Sequence, residues 1–360
     1  MNLHVFNPEH DIALAYNRPH LTMPHAAQEL RMNLGWIPAL WADDGDVVVV
    51  EDVEYAVKAA ARFKDVIHEV LFLSWEEIAG LPCNGIQPWG WDLTLRTRFA
   101  EAGTNSDNLP SNEQLDVFRN LSSRVQTSHL LEELRLGREK LTCGCAVYAT
   151  DVDLVRELLG DWGTIVVKAP WSSSGRGIMY VDNGVTPSVE GFIHNTIRVQ
   201  GGVMVEPYYN KVKDFGMEFY AHADGVVSYE GLSLFQTVHG FYTGNVLASE
   251  EEKLYMLSKY VDAAFLHEIR DALCSLFTKW LLGRYVGPCG VDMMIVASDN
   301  GNGFLIHPCV EVNLRRTMGH VALALSPLHG LTPVRLMQVV HDVNYKLKIV
   351  NYENNYVQSY

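Results

Sequence analysis

Three stretches of this 360-residue sequence combine side-chain types at spacings that chemistry can use. In residues 166–178 (VVKAPWSSSGRGI) a β-branched run delivers Lys168, and a loop of small residues follows: Ser172, Ser173, Ser174, Gly175, Arg176 and Gly177. Glycine lets a backbone approach a ligand closely, and successive N–H groups form a concavity for anions. With a lysine before it and an arginine inside it, such a loop suits phosphates. It is not a Walker A loop, because the lysine precedes the glycines, and it lacks GxGxxG. A Ser/Gly-rich surface loop has the same composition.

Residues 203–217 (VMVEPYYNKVKDFGM) end an apolar strand in Glu206 and Pro207, with Asp214 eight positions on. This pattern fits a hinge whose backbone reads an adenine edge and an acid that accepts from ribose hydroxyls. A proline-ended strand with solvated charges is the plainer alternative. The third stretch is the most specific. Asp292 is the only acid in the apolar run 290–296 (GVDMMIV), and in 304–313 (FLIHPCVEVN) Glu311 and Asn313 alternate with Val310 and Val312. Residues two apart on a strand point the same way, so Glu311 and Asn313 share a face. If the two strands pair, Asp292 joins them, giving hard oxygen ligands suited to Mg²⁺ held jointly with phosphates. A carboxylate inside an apolar strand is costly unless paired or metal-bound.

The elements that must position these groups fall into a mixed pattern. Residues 1–100 alternate short apolar runs with helical periodicity, predicting strands at 3–6 and 46–51, a helix at 26–34, and an α/β unit with a largely parallel sheet. The polar stretch 101–111 (EAGTNSDNLPS) reads as a linker. Beyond it come helices over 112–136, a strand at 146–150, a helix through 159 and a strand at 164–168. Residues 203–206, 216–222 and 226–232 read as successive strands of an antiparallel sheet. A helical segment over 250–282 precedes strands at 290–296 and 303–312, joined by a turn at 298–302. No internal repeat interrupts this order.

Composition narrows the function classes. The chain has 43 acidic against 28 basic residues, a formal charge of −15, which argues against nucleic acid and anionic membranes as partners. At the candidate site the balance reverses: Arg124, Lys168, Arg176, Lys211, Lys213, Arg315 and Arg316 outnumber Glu206, Asp214, Asp292 and Glu311. The six cysteines are too few and scattered for a disulfide framework. Cys143 and Cys145 lack a second pair at zinc spacing, and Cys309, two positions before Glu311, is read as a small hydrophobe. The first residues have no basic and apolar signal pattern, and no stretch approaches about 18 apolar residues, so a soluble cytoplasmic protein is expected.

Taken in order, strand-lysine, small loop, Glu hinge, Asp strand and Glu-x-Asn strand resemble the ATP-grasp superfamily over residues 112–325. The resemblance implies a pre-ATP-grasp α/β domain (1–111), ATP-grasp subdomain A with the phosphate loop (112–202), subdomain B with hinge and metal site (203–330) and a C-terminal tail (331–360). ATP would lie between antiparallel sheets. Lys168 would bind the α/β-phosphates, residues 172–177 would close over the β/γ-phosphates, and Glu206 with the Pro207, Tyr208 and Tyr209 backbone would form the adenine hinge. Asp214 would meet the ribose, and Asp292, Glu311 and Asn313 would hold Mg²⁺, with Mn²⁺ as a substitute.

Two positions depart from the pattern. Arg124 stands where the family often has a lysine, exchanging a point donor for a planar fork, and Gly290 stands where many of its ligases carry an arginine. Arg315 and Arg316, with Arg176, are then the candidates for catalytic charge. Asn7, His10, Asp11, Trp89 and Trp91 sit where members of the family border the substrate cleft, since polar residues after a first parallel strand often line a crevice. His10 and Asp11 as helix caps, and the tryptophans as core, are the structural alternatives. The resemblance implies an ATP- and Mg²⁺-dependent ligase that joins small-molecule carboxylate and amine substrates through an acyl phosphate. An ATP-binding regulatory protein and an ATP-grasp kinase remain open beside it. The apolar elements of the first domain leave room for a homodimer.

Overall fold

The computed structural model describes residues 1–172, 177–238, 241–298, 301, 303–327 and 333–352. Ser173, Ser174, Gly175 and Arg176 of the expected phosphate loop lie outside the described residues, as does most of the turn at 298–302. The chain divides into two compact units. The first comprises 1–119, 243–249 and 315–360, and the second 120–242 and 250–314.

The first unit opens with β1 (Leu3–Val5), α1 (His10–Tyr16), α2 (His25–Leu34), β2 (Val47–Val49), α3 (Val53–Ala60), β3 (Leu71–Leu73), β4 (Ile86–Pro88) and α4 (Leu93–Glu101), and α5 (Asn112–Leu121) reaches the division. Its four-stranded sheet has the order β3-β2-β1-β4, and every pairing is parallel. Val47–Val49 are buried throughout, as a parallel strand covered on both faces requires. The chain leaves β1 toward β2 on one side and returns to β4 on the other, so a topological switch point falls at the carboxyl end of β1.

In the second unit α6 (Arg124–Arg135) precedes β5 (Val147–Ala149), α7 (Val152–Trp162), β6 (Ile165–Lys168), β7 (Ile178–Val181), α8 (Pro187–Gln200) and β8 (Val203–Pro207). These four strands form an antiparallel sheet of order β5-β8-β6-β7, with α7 and α8 contributing Val155, Val189 and Ile193 to its core. Asp151 caps α7 by accepting from Leu154 N, and Thr186 caps α8 with Pro187 at its first position.

A second antiparallel sheet follows from β9 (Lys211–Ala221), β10 (Val227–Ser233), β13 (Gly287–Ala297) and β14 (Phe304–Asn313), in the order β10-β9-β13-β14. Between them in sequence lie β11 (Phe235–Val238), β12 (Phe241–Leu247), α9 (Glu250–Leu257) and α10 (Ala263–Leu281). Phe277 of α10 meets Phe219 of β9 edge-to-face at 5.4 Å.

Two expectations change. The strand at 203–206 does not join those at 216–222 and 226–232, because β8 is held between β5 and β6 in the other sheet. Nor are residues 331–360 a tail. After α11 (Met318–Leu325), β15 (Arg335–His341) pairs with β12 and with β16 (Tyr345–Asn351). Leu247, Val321, Met337 and Leu347 are buried in one core with Phe6, Trp36, Ile37 and Val48. The periodicity of these segments is real, but which sheet a strand joins depends on contacts far away in sequence.

Candidate functional site

The pairing that the sequence left conditional is present. On β13 and β14 the register sets Asp292 opposite Glu311 and Gly290 opposite Asn313, and Asn313 Nδ2 donates to Asp292 Oδ2 at 3.3 Å. On the other side of β13, Gly216 of β9 faces Asp292. A Cβ at Gly216 would lie 2.9 Å from Val291 O and 3.6 Å from Asp292 Oδ1, so glycine keeps the space beside the carboxylate open.

Arg124 links this edge to Ser172, at the start of the loop after β6. Ser123 caps α6, and Arg124 N donates to Pro170 O at 3.1 Å, fixing the helix start against the chain leaving β6. The buried guanidinium donates from Nη1 to Ala169 O (2.7 Å) and Ser172 Oγ (2.8 Å). Its Nη2 donates to Ser172 O (3.2 Å) and Glu311 Oε1 (2.8 Å). The planar fork thus holds the start of the loop and Glu311 at once, which a lysine ammonium could not do with the same geometry. At the loop's other end Gly177 adopts φ 69°, and a Cβ there would lie 2.9 Å from Ser172 Cβ. Gly177 is therefore required by conformation and by space.

Lys168, at the end of β6, is buried and donates to Glu206 Oε2 on β8 at 2.7 Å. Each charge satisfies the other, which a buried ion pair requires. The hinge is partly engaged: Tyr208 N donates to Thr164 O and Tyr209 O accepts from Lys211 N. Asp214 accepts from Lys211 Nζ at 2.7 Å and Thr237 Oγ1 at 2.6 Å. Burial pushes the Cys309 thiol well up, reinforced by Asp292, Glu206 and Glu311, so it stays protonated and un-nucleophilic. His307 on β14 is fully enclosed. Burial, with Lys168 and Arg135 nearby, lowers it to about 3, and its ring meets Tyr209 edge-on at 5.5 Å.

Two carboxylates on adjacent strands, with an amide beside them, are a donor set that fits Mg²⁺ shared with phosphates. Glu311 gives one oxygen to Arg124, and the other has no partner among the described residues. The set contains only two acids, and no group of three or more His, Cys, Asp or Glu side chains gathers for a metal among the described residues.

Structure comparison identifies the fold. A biotin carboxylase from Campylobacter jejuni, solved as a β-γ-ATP complex, matches with a TM-score of 0.52 at 13% identity, covering 94% of this chain and 75% of that one. N5-carboxyaminoimidazole synthetase from Staphylococcus aureus, complexed with ADP, matches at 0.51 and 13%, covering 94% and 82%. A protein of the ATP-grasp superfamily from Archaeoglobus fulgidus matches at 0.51 and 12%, covering 98% and 100%. The chain has the ATP-grasp fold. No protein-family model and no curated protein matches its sequence. Lys168, Glu206, Asp292, Glu311 and Asn313 all lie in the second unit.

The remaining candidates lie in the first unit. Arg315 pairs with Asp11, Nη2 to Oδ2 at 2.8 Å. Arg316 stacks 4.4 Å over Trp41, and its N–H donates to Trp89 O. Asn7 and His10 converge on Asp92, Nδ2 at 3.1 Å and Nδ1 at 3.0 Å from Oδ2. Asp92 also caps α4 through Leu95 N. The structural alternative for His10 is corrected, since α1 has Glu9 at its N-cap and no side-chain cap bond. For the tryptophans the core alternative describes what is observed: Trp89 meets Phe6 edge-on at 4.9 Å and Trp91 packs 6.1 Å from Phe99. Sequence reasoning did not single out Glu9, Arg31, Glu51 and Arg98 beside Asn7. They come from separate segments and carry no common spacing.

Proposed function

We propose that the protein is an ATP- and Mg²⁺-dependent ligase that joins a small-molecule carboxylate to an amine through an acyl phosphate. The observation that carries the reading is the Asp292–Glu311 pair on adjacent strands, with Asn313 beside it and Arg124 tying Glu311 to Ser172. Support also comes from the solved structures of this fold that contain ADP or an ATP analogue.

In this reading Lys168 leaves Glu206 to meet the α/β-phosphates, while Arg124 holds Ser172 at the start of the loop assigned to the β/γ-phosphates. Asp292, Glu311 and Asn313 would hold Mg²⁺, which supplies charge neutralisation at the phosphate oxygens. A substrate carboxylate oxygen attacks the γ-phosphorus and the bond to the β-phosphate oxygen breaks, releasing ADP. The amine then attacks the acyl carbon; the C–N bond forms, phosphate leaves and the amine loses a proton. Charge stabilisation of the transferring phosphoryl group is where catalysis of this kind resides. Arg176 is assigned to phosphate charge.

Gly290, at the position of a common catalytic arginine, favours a second reading in which ATP binds without ligation. Single-turnover ADP formation with Mg²⁺ over a panel of carboxylates and amines separates the two. ADP and phosphate release dependent on a carboxylate–amine pair is the expected outcome. Binding of Mg·ATP without turnover on any pair supports the second reading, a stable phosphorylated product without amine supports a kinase, and no Mg·ATP binding by calorimetry overturns all three.

A further inference from the structure

Within the second unit, the charge of Arg124 is engaged before any ligand arrives. Its guanidinium donates to Ala169 O, Ser172 Oγ and Ser172 O, and from Nη2 to Glu311 Oε1 at 2.8 Å. The Arg124 side chain is only 5% exposed, so water does little to replace a lost partner. Glu311 keeps 23% of its side-chain surface, and a ligand can therefore reach the carboxylate while the guanidinium holds it. A divalent cation on Glu311 would then sit one carboxylate away from a buried positive charge. Like charges that close repel strongly where the dielectric is low.

The strand is held separately from the side chain. β14 is the last strand of its sheet, and Val312 N, between Glu311 and Asn313, donates to Thr127 Oγ1 at 3.3 Å. Thr127 lies three positions after Arg124 on α6, a neighbour on the same helix face. That bond, and the ladder pairing of Glu311 with Asp292, do not depend on Nη2. The bonds to Ala169 and Ser172 anchor the guanidinium on its other side. One short side-chain movement can therefore exchange Glu311 for another anion while β14 and the start of the loop keep their places. A phosphate oxygen is such an anion, since a guanidinium takes phosphate as well as carboxylate.

We propose that the Arg124–Glu311 bond is an autoinhibitory latch, which keeps a divalent cation off Glu311 until nucleotide phosphates take over the Nη2 donor. Cation and nucleotide enter together, and a bare cation is refused. The latch rests on the ligase reading for what Glu311 binds; what it adds is the order of entry and the residue that enforces it.

The test takes Mn²⁺ as the probe, with the full chain and no nucleotide, and counts free Mn²⁺ by electron paramagnetic resonance. Arg124→Gln removes the charge, and Arg124→Lys keeps the charge but loses the fork that reaches Ser172 and Glu311 together. Both should bind Mn²⁺ about tenfold tighter than wild type, the order of one interaction between close charges. Ser172→Ala removes one anchor of the fork and neither charge, and it covers the case of an arginine variant that fails to fold. It should tighten Mn²⁺ about threefold, the lower range of one hydrogen bond. Adding Asp292→Asn should erase each gain, placing the ion at this edge. An arginine that only supports β14 predicts the opposite sign, because its loss would loosen the ligands. Mn²⁺ affinity equal to or weaker than wild type in the variants that fold, or a gain that survives Asp292→Asn, would overturn the latch. Calorimetry of wild type with Mg·ATP keeps the two readings apart: binding there with no gain in the variants removes the latch alone, and no binding removes both.

Discussion

At the scale of single residues, the metal edge and the lysine give separable expectations. Glu311→Gln and Asn313→Ala should lower Mg·ATP turnover by about 100-fold, the order lost when one electrostatic stabiliser is removed from a transition state. The far-ultraviolet spectrum should be unchanged, because both side chains sit at the end of β14 and the ladder bonds are backbone. Turnover equal to wild type in both variants removes the metal assignment. Lys168→Ala should weaken ATP binding in calorimetry; an unaltered affinity would show that the buried pair with Glu206 is purely structural. His307 gives an expectation about stability. Its folded value of about 3 lies below the ordinary 6.5, so its contribution is fully present above pH 6.5 and is lost as the pH falls from there toward 3. Acidification over that interval should cost on the order of a few kcal/mol, measured by urea unfolding. The non-titrating His307→Gln variant should show a flatter profile between pH 6.5 and 4, and an identical slope would contradict the assignment.

At the scale of elements, the local signals and the pairing partners separate cleanly. The run 164–168 is β-branched, and its strand forms as β6 at 165–168. The polar stretch 101–111 is less of a linker than its composition suggests: α4 extends to Glu101 and a short 3-10 turn spans Ser106–Asn108. Residues 331–360 show the limit most plainly. Nothing local in their sequence names the sheet they join, yet Leu336, Met337 and Leu347 are buried in the first unit. Truncation after residue 333 exposes this core and removes the partner of β12. The truncated chain should therefore lose the cooperative unfolding transition of the first unit in calorimetry and precipitate on overexpression. A soluble truncation with both transitions intact would show that β15 and β16 are dispensable.

At the scale of the whole molecule, the chain has two compact units, and Lys168, Glu206, Asp292, Glu311 and Asn313, the residues of the proposed nucleotide site, all lie in the second. A ligand that binds only the folded second unit stabilises it by mass action, about 2.7 kcal/mol at a concentration of 100 Kd. Scanning calorimetry with and without Mg·ATP should move one transition upward and leave the other nearly in place. Equal displacement of both would mean that the units unfold as one. Among the described residues no helix is long and apolar enough to cross a membrane. The charge of −15 is uneven: in the second unit Lys168 and Arg124 each face an acid that holds them in place. Basic groups gathered at a site in an acidic chain suit a small anionic ligand rather than a polyanion.

The sequence alone determined the order and the facing of the candidate residues in the second unit. A strand periodicity of two puts Glu311 and Asn313 on one face, and the apolar run around Asp292 makes that acid conspicuous. Both signals are local, so they survive without knowledge of the fold. Only tertiary structure decided that Asp292 stands opposite Glu311, that Arg124 holds Glu311 and Ser172 together, and that β8 pairs with β5 and β6. The same holds for the ion-pair cluster in the first unit, where Glu9, Arg31, Glu51 and Arg98 meet from four separate segments. Such a meeting is fixed by the parallel order of a sheet and by crossover helices, and no pattern along the chain encodes it.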